Sequence, residues 1–153
     1  AAMIAAIYAV LTLILQPFSF RAVQLRVSEA LTLLPILTVD AIPGLFVGCL
    51  LANFLGGAAW YDVVFGSLAT LIAAILTRKL RNHFVPASLM PVLLNGLIVG
   101  PVVYFAYNYA GTFSLPLLLM DMGSVAIGEL LACCVLGAVL IYALKKTPQP
   151  LWA

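Results

Sequence analysis

The sequence predicts an all-α membrane protein, a compact bundle of six transmembrane helices that forms a single domain over residues 1–153. Sixty-five per cent of its residues are hydrophobic and only 8% are charged, whereas soluble domains are about half apolar and a quarter charged. So few charged side chains cannot cover a 16.3 kDa globule in water, but a bilayer requires no polar surface. Because a spanning helix needs about 20 apolar residues, the length accommodates six helices with short connections.

Proline, glycine and charged residues divide the chain into six apolar segments. Pro35 lies inside the short second segment, and Pro43 lies at the start of the third, where a proline costs few backbone hydrogen bonds. The stretch TVDAI between these two segments predicts a tight turn. The predicted spans are 1–16, 26–39, 42–57, 61–79, 85–107 and 117–144.

Basic residues predict the orientation of the chain. Short cytoplasmic loops retain lysine and arginine, and here these residues follow spans four and six, at Arg78, Lys79, Arg81, Lys145 and Lys146. This places both termini in the cytoplasm and the connections 16–25, 57–61 and 108–116 outside. Two further arginines, at positions 21 and 26, lie on the outer side, which suggests that they have a role other than orientation.

Small residues recur at every fourth position in the first, third, fifth and sixth spans. In lipid such stripes let helix backbones approach closely, because packing drives helix association there. Most of these stripes predict contacts inside the bundle. The first span differs, since its stripe is wide enough to form a smooth face for a second protein, at Ala1, Ala2, Ala5, Ala6 and Ala9.

Polar residues gather in the outer halves of the predicted spans. A charged side chain at mid-bilayer costs about 2.5 to 3.5 kcal/mol, so each one present needs a partner or a function. Together they predict an outward-opening cavity that fits a planar heterocycle with donors and acceptors on its edge, with aromatic side chains above it. The residues predicted to bind such a ligand or to support its binding are Arg26, Glu29, Asn53, Trp60, Asp62, Asn95 and Glu129.

Structural explanations stay open for several of these residues. Glu29 follows Arg26 by three positions, on one helical face, and could simply pair with it. Asp62 could cap a helix N-terminus, and Asn95 could form an interhelical hydrogen bond. Glu129 has no basic residue at helical spacing, so a purely structural role is harder to assign to it.

Two other classes of membrane protein, enzymes and channels, lack the residues they would need. A membrane enzyme needs catalytic or metal-binding residues, but Ser67 follows Gly66 without a G-x-S-x-G frame and the lone His83 lies at the cytoplasmic end of span four. We therefore predict no catalytic and no metal-binding residue. A scaffold or channel would need a continuous polar path, whereas the inner half is nearly all apolar. Nothing in the sequence indicates nucleic-acid binding.

Five stretches carry a resemblance to a known family: RVSEALTLLP (26–35), IPGLFVGCLLANFLGG (42–57), DVVFGSLATLIAA (62–74), LLNGLIVGPVV (93–103) and GELLACCVLG (128–137). They resemble the QueT family, which comprises substrate-binding S components of energy-coupling factor (ECF) transporters associated with salvage of queuosine precursors. The resemblance runs over nearly the whole chain in the same order. The alanine pattern of the first span also looks like the motif through which S components contact the shared transmembrane coupling subunit.

The resemblance implies a six-helix protein of the bacterial cytoplasmic membrane that captures a deazaguanine base or nucleoside outside and releases it inside. It implies the transmembrane coupling subunit and two ATPase subunits as partners. Because this chain has no G-x-x-x-x-G-K-[ST] loop, it is expected to hold no cofactor, and ATP would be used by those partners. Another vitamin or nucleobase-like substrate stays an alternative. The residues implied to bind the base edge are Glu29, Asn95 and Glu129, supported by Arg26, Asn53, Asp62 and Trp60.

Overall fold

A computed structural model describes residues 1–15 and 26–147, and the predicted connection 16–25 with Arg21 therefore lies outside the described residues. Within the described ranges the chain forms six helices and no strand. The predicted fold class, an all-α membrane protein with six helices, is confirmed. The helices are α1 (Ala2–Ile14), α2 (Val27–Ile36), α3 (Ala41–Leu55), α4 (62–79), α5 (Phe84–Asn108) and α6 (Leu115–Lys145).

Large apolar side chains cover the outside of the bundle. Phe54, Leu97, Phe105, Ile127 and Val139 are each more than half exposed, and such a surface is suited to lipid rather than water. Helices α5 and α6 are long and apolar enough to cross a membrane, whereas α1, α2 and α3 are shorter apolar helices.

Helix α2 is enclosed by the rest of the bundle. All of its residues except Val27 and Leu31 are buried, and it packs against α1, α3, α4, α5 and α6. It is a 3₁₀-helix, whose rise of about 2.0 Å per residue gives a length of about 20 Å, less than the roughly 30 Å of bilayer hydrocarbon. The helix ends at Ile36, before the predicted boundary at residue 39. It is therefore a central element surrounded by protein.

The last turn of α2 is held by a basic side chain of α4. Arg78 Nη1 donates to the carbonyl oxygens of Pro35 and Ile36 at 3.0 and 3.2 Å. These carbonyls have no partner within a helix that stops here, so the guanidinium satisfies them. The contact fixes the end of α2 that lies away from the polar residues.

Two glycines of α3 let α1 pack directly against it. A Cβ at Gly44 would lie 2.7 Å from the carbonyl oxygen of Ala1, and a Cβ at Gly48 would lie 2.9 Å from that of Ala5. Both distances are too short for any side chain. The small residues of α3 are thus required by the close approach of the two backbones.

This packing buries part of the predicted partner-binding face of α1. Ala5 and Ala9 are only 6% and 7% exposed, because they fill the contact inside the bundle. Ala1, Ala2 and Ala6 are exposed. The sequence stripe therefore divides between two sides of one helix, and the side open to a second protein is the one that carries Ala2 and Ala6.

A pair of glycines also brings α5 close to α6. A Cβ at Gly100 would lie 2.6 Å from the Cα of Met122, and one at Gly96 would lie 3.2 Å from the Cβ of Ala126. Asn95 and Glu129, which flank this contact in the sequence, are consequently held within hydrogen-bonding distance of each other.

Replacing Gly48 with alanine should destabilise the bundle, because the new methyl group would press on the α1 backbone. We expect a loss of about 1 to 3 kcal/mol, measured as a lower thermal midpoint in detergent. Gly123→Ala in α6 is the matched control, since a Cβ there meets nothing within 4 Å and alanine favours a helix over glycine. Equal midpoints for the two variants would contradict the close α1–α3 contact.

Candidate functional site

A small polar cavity lies between α2, α4, α5 and α6. In this conformation its volume is about 10 Å³, which accommodates about one water molecule. A drug-sized organic ligand occupies several hundred Å³, so the helices or their side chains must move apart before one can enter. The cavity is lined by Arg26, Glu29, Gly66, Thr70, Asn95, Val99, Val125 and Glu129.

The predicted residues Asn53 and Asp62 hold the arginine of this cavity and do not line it themselves. Arg26 Nη2 forms an ion pair with Asp62 Oδ2 at 3.4 Å, and Arg26 Nη1 donates to Asn53 Oδ1 at 3.4 Å. Asn53 Nδ2 in turn donates to the backbone carbonyl of Asp62 at 3.3 Å. All three side chains are buried. The ion pair of Arg26 is thus with Asp62, and Glu29 is left with other partners.

Glu29 is held by a tyrosine of α1. The Tyr8 hydroxyl donates to Glu29 Oε1, and both residues are almost completely buried. The other carboxyl oxygen, Oε2, is also buried but has no hydrogen-bond partner among the residues that the structure describes. A second contact beside this one joins the same two helices, because Thr12 Oγ1 lies 2.7 Å from Ser28 Oγ.

Sequence reasoning missed Tyr8 as a site residue. The available signal was its position on the same helical face as Ala5, Ala9 and Thr12, which all prove to be buried. A phenol at such a position needs an acceptor. The sequence does not indicate which acceptor it meets, since Glu29 lies 21 residues away along the chain.

Glu129 is bound through both of its carboxyl oxygens. Asn95 Nδ2 donates to Oε1 at 2.8 Å, and Cys133 Sγ lies 3.4 Å from Oε2. The same sulfur lies 3.4 Å from the backbone carbonyl of Glu29, so Cys133 contacts both glutamates. The structure thus brings together the three residues that sequence reasoning assigned to ligand recognition, Glu29, Asn95 and Glu129, around one cavity.

Irregular helix geometry coincides with these residues. Of the four π-helical segments in the described residues, one begins at Asp62, one at Asn95 and one at Leu130, directly after Glu129, and the fourth spans Tyr104–Asn108. A π-helical turn inserts an extra residue and rotates the side chains that follow it, and such turns are frequent at functional sites. The sequence carries no signal for them.

Trp60 does not line the cavity in this conformation, and its supporting role stays a prediction. It is 68% exposed, and its ring lies 4.5 Å from that of Tyr61, centroid to centroid. In the part of the chain that the structure describes, no group of three or more His, Cys, Asp or Glu residues could hold a metal ion. The side chains that line the cavity supply two carboxylates, an amide and a guanidinium for hydrogen bonding and ion pairing.

Comparison with known proteins agrees with this membrane architecture. The model of the QueT transporter family matches residues 1–146. The protein named "Queuosine precursor transporter QueT" from Lactococcus lactis subsp. cremoris (strain MG1363) is 30% identical over 154 residues, which cover 95% of this chain and 89% of that protein. No solved structure matches the chain.

Tyr8→Phe should destabilise the protein, because it removes the donor to Glu29 Oε1 and leaves a second buried carboxyl oxygen unsatisfied. We expect a loss of about 1 to 3 kcal/mol, seen as a lower thermal midpoint in detergent without added ligand. Tyr142→Phe serves as the control, because Tyr142 is 64% exposed. A Tyr8→Phe midpoint that matches this control would show that the hydrogen bond contributes nothing.

Proposed function

The chain belongs to the QueT transporter family, whose members are transporters rather than enzymes, and from this premise we propose that it is the substrate-capturing S component of an ECF importer for a queuosine precursor. The observation that carries the proposal is the buried cavity where Glu29, Asn95 and Glu129 converge. The ligand would be a deazaguanine base or nucleoside. It would enter from the outside, with both termini of the chain in the cytoplasm.

Glu129 and Asn95 offer the groups that a guanine-like edge requires. Such an edge presents an imino N–H and an exocyclic amine side by side, and one carboxylate can accept from both. In the present conformation the carboxylate accepts from Asn95 at 2.8 Å. Ligand N–H groups would replace that contact, which would free the Asn95 amide to donate to the ring carbonyl. Glu29 supplies a further carboxylate on another wall of the cavity.

Partner subunits would supply the energy for transport. We propose the transmembrane coupling subunit and two ATPase subunits, because this chain contains no phosphate-binding loop. The docking surface would be the exposed side of α1, where Ala2 and Ala6 are flanked by Met3, Ile7 and Val10. Two small residues within an apolar surface allow another helix to approach closely.

Glu129→Gln should weaken binding of a deazaguanine by about one to two orders of magnitude, because an amide has only one acceptor atom and no charge. Isothermal titration of the purified protein in detergent measures the effect. Asp121→Asn is the matched control: it changes the same charge on the same helix, but Asp121 contacts Asn108 at 3.0 Å and does not line the cavity.

Two outcomes would contradict the recognition model in different ways. Unchanged affinity in Glu129→Gln would remove Glu129 from the base-edge site. Failure of the wild-type protein to bind any deazaguanine, in a panel that includes guanine and other nucleobases, would overturn the proposed substrate.

Ala6→Leu should leave ligand binding unchanged and prevent assembly with the coupling and ATPase subunits, because a bulky side chain keeps the partner helix away. Co-purification of the complex and uptake into cells measure the loss. Ala143→Leu, also at an exposed alanine but on α6, is the control. Normal assembly of Ala6→Leu would show that the partner docks elsewhere.

A further inference from the structure

Acidic side chains outnumber basic ones in the buried site. Glu29, Asp62 and Glu129 are three of the five acidic residues of the whole chain, and all three are at most 6% exposed. Arg26 is the only basic residue among those that line the cavity in the described part of the chain, and its guanidinium is paired with Asp62. A buried charge is costly unless it is paired, and among the described residues the site holds fewer positive than negative side chains.

The two glutamates of the cavity differ in how many of their carboxyl oxygens have a hydrogen-bond partner. Glu129 has neighbours at both carboxyl oxygens, the Asn95 amide and the Cys133 thiol. Glu29 has Tyr8 at Oε1, whereas its fully buried Oε2 has no hydrogen-bond partner within residues 1–15 and 26–147. Asp62 Oδ1 also has no partner in the described part of the chain, but Asp62 does not line the cavity. The unsatisfied acceptor that a ligand can reach therefore belongs to Glu29.

We propose that Glu29 binds a protonated amine of the ligand, so that the protein selects a cationic deazaguanine over a neutral one. This inference rests on the proposed function and narrows it. The ammonium group would donate to Oε2 and supply the missing positive charge, while Asn95 and Glu129 bind the ring edge. A neutral ligand with the same ring would leave Oε2 buried and unpaired.

Such an arrangement would also discriminate against guanine. Guanine presents the same hydrogen-bonding edge to Asn95 and Glu129, so edge recognition alone cannot exclude it. Specificity is a difference between two affinities, and a buried carboxylate that only one ligand can pair increases that difference. Glu29 would act as the specificity determinant, and Glu129 as the common recognition group.

This assignment is tested with two ligands that differ only in the group attached at position 7 of the ring. One is 7-aminomethyl-7-deazaguanine, which is a cation at neutral pH, and the other is 7-cyano-7-deazaguanine, which is neutral. Both are titrated calorimetrically into the wild-type protein, Glu29→Gln and Glu29→Asp. The wild type should bind the amine about ten- to a hundredfold more tightly. Glu29→Gln should lose that preference mainly through weaker binding of the amine, and Glu29→Asp, which keeps the charge, should retain a preference for it.

The outcomes separate this inference from the proposed function. Equal wild-type affinity for the two ligands overturns the charge selection and leaves the deazaguanine assignment intact. Binding of neither ligand overturns both. A preference that persists in Glu29→Gln removes Glu29 from the amine site. Thermal unfolding of each variant checks its fold, and if Glu29→Gln does not fold, the wild-type ratio and Glu29→Asp decide the question.

Discussion

The structure depends on keeping buried charges away from lipid. A charged side chain exposed to hydrocarbon is expensive, and the cost falls when protein groups surround and pair it. Here α2 carries Glu29, with Arg26 at its start, and it is enclosed by its neighbouring helices. The other features of the fold serve that enclosure. Glycines at the α1–α3 and α5–α6 contacts draw the helices together, and apolar side chains face outward.

Enclosure also explains the length and form of α2. A helix surrounded by protein need not cover the full hydrocarbon thickness, so ten residues in a 3₁₀ conformation suffice. Its backbone end is satisfied by Arg78. Hydrogen bonds from α4 thus satisfy the carbonyl groups that the short helix leaves without partners. These bonds could not form if α2 faced lipid.

The sequence predicts the fold class and the polar residues well, for physical reasons. The high fraction of hydrophobic residues indicates that lipid surrounds the protein. In such an apolar sequence, charged or amide side chains such as Glu29 and Asn95 are easily recognised as candidates for a site. Orientation around a helix axis is harder. Ala5 and Ala6 are adjacent and identical, yet one is buried and the other exposed. In a membrane protein both sides of a helix are apolar, so hydrophobic periodicity cannot separate them. The π-helical turns and the Tyr8–Glu29 contact depend on tertiary packing and have no local signature.

Helix α1 connects the proposed ligand site to the proposed docking surface. One side of it carries Tyr8, which holds Glu29, and the other carries Ala2 and Ala6. The cavity is too small for a heterocycle in this conformation, so a ligand must bind a wider state more tightly than this one, and occupancy shifts the protein toward that state. Because Tyr8 donates to Glu29 directly, the carboxylate proposed to bind the ligand is hydrogen-bonded to the same helix that a partner would meet. Recognition of the ligand and readiness for docking can therefore be coupled through one hydrogen bond.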